Sequence, residues 1–203
     1  MAPNPETGIE ALKKVLFSTV TFTDAEWDDI ASRWHYHYLP KGQHQIVPGQ
    51  MEAYIYFIIS GATRIYHLSS KGEDVTLAFS YDNTFTGDYG SFLTRKPATF
   101  YNQAVSDCHM LRCSYTDMQQ LLDRYHHMER WSRLGMEQLL IGMLVRQVEM
   151  LSAPAEDRFM RLWRQSPHCF QLYTQRQIAS YLGITPETLS RLKRRMMERA
   201  SNK

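Results

Sequence analysis

The sequence is poor in the groups on which covalent, metal and redox chemistry depend. Its 203 residues include 3 cysteines. Cys108, Cys113 and Cys169 are an odd number without a C-x-x-C pair, which excludes a disulfide framework and a zinc knuckle and leaves buried free thiols. No glycine-rich loop is spaced to cradle a phosphate, and no nucleophile and base stand in a recognisable pattern. No apolar run reaches the length of a membrane span, and the start, M-A-P-N-P-E-T-G, lacks the basic-then-apolar order of a signal peptide. The expectation is a cytoplasmic chain with no membrane partner. A composition 43% hydrophobic and 22% charged is ordinary for a globular protein, with length enough for one large domain or two small ones.

The near-neutral net charge of +2 conceals a local excess. From Thr174 onward seven Lys/Arg stand against two Asp/Glu, so the tail carries +5 and the first 173 residues −3. In this tail Ile178, Leu182, Ile184, Leu189 and Leu192 recur so that two short helices share one buried seam. Ala179 permits a close crossing, Gly183 supplies the left-handed residue that ends the first helix, and Thr174 and Thr185 are placed as N-caps. Pro186 then occupies the first position of the second helix. This spacing predicts a helix-turn-helix. Leu189, Leu192 and Met196 face the seam, while Glu187, Ser190, Arg191, Arg194 and Arg195 fall on the other side. Arginine can bond a guanine edge with two donors, glutamate can accept from cytosine, and serine can serve either strand, so this face suits a DNA major groove. The simpler alternative is a surface helical hairpin with a solvated charged tail.

Upstream the period changes twice. Ile9, Leu12 and Leu16 mark one helical face, and Thr23 before Asp24-Ala25-Glu26-Trp27 looks like a cap with an acidic first turn. Between Trp34 and about Ser114 the period is two: segments 34–39, 44–47, 53–60, 62–68, 75–81 and 100–105 are broken by Pro40-Lys41-Gly42, Pro48-Gly49, Gly61 and Ser69 to Gly72. That pattern predicts a β-sandwich or small barrel able to enclose a small molecule. From Thr116, read as a cap, to Ser152 the helical period returns. Leu134, Ile141 and Val148 recur every seven residues, with Leu144 and Leu151 between them, as in a coiled-coil seam. This helix either covers the barrel or pairs with a second copy, and the width of its apolar surface favours both. Ser152-Ala153-Pro154-Ala155 breaks it, and Glu156 to Gln165 forms a helix with Phe159, Leu162 and Trp163 inward.

Taken in this order, the chain resembles the Crp/Fnr family of bacterial transcription regulators along almost its whole length. The resemblance rests on P-K-G-Q-H-Q-I-V-P-G-Q (40–50), Y-F-I-I-S-G-A-T-R-I-Y (56–66), T-G-D-Y-G-S-F (86–92) and E-T-L-S-R (187–191). It implies an α+β chain: an N-terminal cyclic-nucleotide-binding-like β-roll (a double-stranded β-helix) with flanking helices over 1–115, a dimerisation helix over 116–152 and a helix-turn-helix domain over 153–203. It also implies Glu187, Ser190 and Arg191 as base readers, with Thr174, Arg176, Thr188, Arg194, Arg195 and Arg199 on phosphates. The partners implied are DNA, a second copy of the chain and RNA polymerase, the dimer reading a palindrome with half-sites roughly 34 Å apart.

The departures bear on the ligand. Cyclic-nucleotide members carry a glycine–glutamate turn for the ribose and an Arg-Ser pair for the phosphate. Here Gly87-Asp88 stands at the turn, and the Arg-Ser positions align with Ala98-Thr99, which leaves a buried phosphate without its bidentate partner. The expectation is therefore no cyclic-nucleotide dependence, no cofactor and an unidentified effector. No cysteine precedes Cys108 to build the iron–sulfur cluster of the oxygen-sensing branch, and His67, His109, His126 and His127 lack a haem-ligand spacing. The chain stops twelve residues after Arg191, short of a full β-hairpin wing, so Lys203 would join Arg194, Arg195 and Arg199 on phosphates. Two rival classes remain: a sensor acting through protein partners, and a cupin-like metal enzyme using His35, His37 and His44. The second lacks the glutamate that pattern needs, so no enzyme is expected.

Overall fold

The computed structural model describes residues 5–201, the last three by backbone alone. The chain divides into two compact units, one made of the chain up to Tyr66 together with Phe79–Leu139, the other of His67–Ala78 together with Leu140 onward. The division thus falls inside a long helix, whereas the sequence places its boundaries at that helix's two ends.

The first unit opens with α1 (Pro5–Phe17) and α2 (Asp24–Ser32). Thr23 caps α2 in a reciprocal box with Glu26, as its sequence predicts. Two four-stranded antiparallel sheets follow, ordered β1-β8-β3-β6 and β2-β7-β4-β5. Their strands are β1 (His35–Leu39), β2 (His44–Ile46), β3 (Tyr54–Ser60), β4 (Ala62–Leu68), β5 (Asp74–Tyr81), β6 (Phe85–Thr86), β7 (Tyr101–Ala104) and β8 (Cys108–Ser114). Strand β3 is covered on both faces, which explains its unbroken apolar run. Ile55 and Phe57 join Leu12, Leu16, Trp27 and Ile30 of the helices, while Tyr56 and Ile58 join Leu39, Ala104 and Met110.

Three elements escape a reading by period. Strand β8 pairs with both β1 and β3 and so lies inside the first sheet, joining the two. Strand β6 is two residues long, and α3 (Tyr89–Thr94) is six, both too short to show a period. The next helix begins earlier than predicted: Ser114, not Thr116, accepts from the Asp117 N–H at 3.0 Å and caps α4 (Tyr115–Arg124). The predicted single helix is also interrupted. Tyr125 is extended, at φ −122° and ψ 112°, and its hydroxyl donates to Asp29 of α2 at 2.9 Å, before α5 (His126–Ser152) begins.

The second unit holds the C-terminal part of α5, α6 (Ala155–Gln165), α7 (Cys169–Leu172), α8 (Gln175–Leu182) and α9 (Pro186–Ser201). Phe159, Leu162, Cys169, Tyr173, Ile178, Ala179, Leu182, Leu189 and Leu192 are buried. Among the described residues no helix is long and apolar enough to cross a membrane.

Candidate functional site

The pair α8 and α9 is built as its residues dictate. Thr174 Oγ1 accepts from the Gln177 N–H, and the Gln177 side chain returns a bond to the Thr174 N–H at 2.9 Å. Gly183 takes φ 64° and ψ 39°, and the Ile184 N–H reaches back to Ala179 O at 3.0 Å, which closes the end of α8. Thr185 Oγ1 accepts from the Thr188 N–H at 3.2 Å and starts α9. The C-terminal end of α8 is braced by two cations from its own unit. Arg158 donates to Leu182 O at 3.0 Å, and Arg146 donates to Tyr181 O at 2.6 Å while its guanidinium lies 3.6 Å from the Tyr181 ring centre.

With Leu189 and Leu192 buried, the other face of α9 is open, and Glu187, Ser190, Arg191 and Arg194 are exposed on it. The Glu187 carboxyl is held below its ordinary range by its own backbone N–H, by Thr185 and by the positive Arg191. Arg191 Nη2 donates to Thr188 Oγ1 at 3.2 Å, and Thr185 and Thr188 share a hydrogen bond of 3.2 Å. A chain of hydroxyls therefore orients the arginine one turn below it. Arg194 lies 3.8 Å from Glu198. Arg195 is exposed as well and lies 3.7 Å from Glu156 of α6. Thr174 and Arg176 are exposed at the start of α8, and Thr188 is half-buried. The side chain of Arg199, and Lys203, lie outside the described residues.

One contact in this unit has no sequence signal. Ser180 Oγ on α8 donates to Asp74 O at 2.8 Å and accepts from the Thr76 N–H at 2.8 Å, tying α8 to the segment 67–78. Pairs separated by more than a hundred residues leave no period to read.

Within the first unit, the residues expected around a ligand do converge. Asp88 Oδ1 accepts from the Ser91 N–H at 2.9 Å as the N-cap of α3, and its Oδ2 accepts from the Thr99 N–H at 3.4 Å. Ala98 is buried and Thr99 exposed. The Asp88 carboxylate is thus engaged by its own loop. Arg95 does not turn toward this cluster: it donates to Glu52 O at 2.7 Å and stacks over Tyr115.

The residue that sequence reasoning missed is Glu52, which is 2% exposed. Its Oε2 accepts from the Asp88 N–H at 3.4 Å and from Gln45 Nε2 at 3.1 Å. A Cβ added at Gly87, φ +146°, would stand 3.8 Å from that oxygen. Burial pushes the Glu52 carboxyl above its ordinary range, the bonds from Asp88, Tyr54 and Gln45 opposing it. Farther into the roll, Asn102 Nδ2 donates to Thr86 Oγ1 and Gln45 Oε1 at 2.9 and 3.1 Å, and Thr86 bonds Thr63 at 3.0 Å.

The remaining candidates are dispersed. His37 packs on Tyr56, His44 bonds the Tyr66 hydroxyl at 2.9 Å, and His35 pairs across the sheet with Arg112. His109 bonds Tyr36 at 2.5 Å and His127 bonds Glu26 at 2.9 Å. Among the described residues no group of three His, Cys, Asp or Glu could hold a metal. On α5, Leu134 packs against the core of the first unit, whereas Ile141, Leu144, Val148 and Leu151 are 52, 53, 62 and 82% exposed.

Comparison with known proteins agrees with this architecture. Residues 36–125 match the family model described as a cyclic nucleotide-binding domain. No curated protein matches the chain. Among solved structures, the global regulator CLP of Xanthomonas campestris, described as responsive to c-di-GMP, is similar at TM-score 0.67 and 14% identity, over 88% of this chain and 93% of that one. FixK2 of Bradyrhizobium japonicum is similar at TM-score 0.72 and 17% identity, over 82% and 86%. The catabolite activator protein of Thermus thermophilus is similar at TM-score 0.51 and 22% identity, over 92% and 88%. At these identities the likeness is one of fold.

Proposed function

We propose that this chain, which has the fold of the Crp/Fnr-type regulators and a cyclic nucleotide-binding domain within it, is a sequence-specific DNA-binding transcriptional regulator. It acts as a homodimer on a palindromic operator, without cyclic nucleotide. The observation that carries the reading is α9. One face is sealed into its own unit by Leu189 and Leu192, and the other presents Glu187, Ser190 and Arg191 to solvent, with the Arg191 guanidinium bonded to Thr188. A helix face with one acceptor, one hydroxyl and one planar guanidinium can meet base edges in a major groove, while Thr174, Arg176, Arg194 and Arg195 reach for phosphates.

The dimer follows from α5. Ile141, Leu144, Val148 and Leu151 expose a continuous apolar stripe, and such a stripe is covered in a stable protein. A second copy pairing along it presents the second α9 that a palindrome requires. RNA polymerase is the further partner a transcriptional regulator meets, and the reading assigns no cofactor and no enzymatic step.

Selection of bound sequences from a random duplex pool, followed by titration of salt, tests this. The expected result is an inverted repeat whose affinity falls by a factor of about 10³ or more between about 50 and 200 mM salt. Failure to enrich any sequence, with salt-insensitive capture, would assign the protein to a sensor that works through protein partners.

A further inference from the structure

The first unit contains a cavity of about 200 Å³ that shares no residue with the Glu52 and Asp88 cluster. Its walls come from β3, β6, α3, α4 and the first turns of α5, chiefly Ile55, Phe85, Tyr89, Phe92, Met118 and Trp131. We propose that this cavity binds one small uncharged aromatic molecule bearing a single oxygen acceptor, held between α3, α4 and the base of α5. The proposal stands whether or not the chain binds DNA.

Three observations support it. The first is volume. A dry apolar cavity of about 150 Å³ accepts benzene, and drug-sized ligands need about 300 Å³ or more, so this space fits one substituted ring. A nucleotide is too large and too polar for it. The second is Gly135, which lines the cavity in the middle of a helix. A Cβ built there meets nothing within 4 Å, so packing does not require a glycine that weakens the helix. Gly135 is itself exposed, so at the edge of the cavity its missing side chain leaves the entrance open. The third is Tyr89. Burial alone pushes its phenol above the ordinary range, and no described residue hydrogen-bonds its hydroxyl. With Gln119 and Ser132 also on the wall, the cavity offers hydrogen-bonding groups to one ligand oxygen and has no charged residue among those lining it. A carboxylate or phosphate would find no counter-charge there.

The test uses the full chain labelled with 5-fluorotryptophan and observed by fluorine NMR, the Trp131 resonance being assigned with Trp131→Phe. Ethylbenzene, 4-ethylphenol, benzoate and cyclic AMP are the probes. Ethylbenzene and 4-ethylphenol should shift the Trp131 resonance saturably, the phenol binding more tightly, and benzoate and cyclic AMP should not. Gly135→Leu and, independently, Ser132→Leu should weaken both ligands by about tenfold or more. Tyr89→Phe should abolish the preference for the phenol while leaving ethylbenzene binding unchanged. No shift with either neutral ring, equal shifts with benzoate or cyclic AMP, or binding unaffected by both filling variants would overturn the proposal. So would a shift seen only after Val148→Glu, which would assign the cavity to a neighbouring copy.

Discussion

The Glu52 carboxylate accepts a hydrogen bond from the Asp88 backbone N–H at 3.4 Å, at the turn where the family resemblance would seat a sugar and phosphate. A buried acid of the chain itself already engages that turn. A cyclic phosphate brought there would face Glu52 and Asp88 together, with Arg95 turned onto Tyr115 and the Glu52 carbonyl.

Cyclic AMP is accordingly expected to give no binding heat and no change in operator affinity. Isothermal calorimetry on the purified chain checks this, and micromolar binding would contradict it.

Glu52 also sets a dependence on pH. Its folded-state pKa is raised, so between the unfolded value and the folded one the native state holds a proton that the unfolded chain has released, and stability falls as pH rises through that window. Glu52→Gln removes the titration. The difference in Tm between this variant and the parent should grow in the variant's favour from pH 4 to pH 7. A constant difference would show that Glu52 carries no linked proton.

Arg191→Ala should cost roughly 1–3 kcal/mol on the best operator and relax preference at one base pair of each half-site. Arg194→Ala should instead weaken all sequences alike and lower the salt slope by about 1. Competition binding across single-base operator variants separates the two behaviours.

Gly183→Ala places a Cβ on a left-handed residue, φ 64°, within 2.6 Å of Met150 Cε. The methionine can move, so the backbone term dominates at about 1–2 kcal/mol. Thermal unfolding should show that loss, while Gly142→Ala, whose Cβ would meet nothing within 4 Å, should be neutral or stabilising within the chain.

Cys108, Cys113 and Cys169 are free and buried, and burial pushes their thiols up to about 11, 12 and 11. A thiol-specific chromogenic reagent should react with none of them at pH 8 in the native protein and with all three in guanidinium. Fast reaction of any one would mark a local opening.

The sequence by itself determined what depends on neighbours within a turn or a strand. The caps at Thr23, Thr174 and Thr185, the left-handed Gly183, the seam of α8 and α9 and most of the strands follow from spacings of two to four residues, where backbone geometry alone decides which side chains meet. Tertiary structure decided what depends on partners far along the chain. The end of α4 at Tyr125 is accompanied by a bond to Asp29, Arg195 meets Glu156, Ser180 is tied to Asp74 and Thr76, and Glu52 reaches the turn at Asp88. Such pairs carry no period, because a hydrogen bond or ion pair fixes the two groups in space and leaves their separation in sequence free.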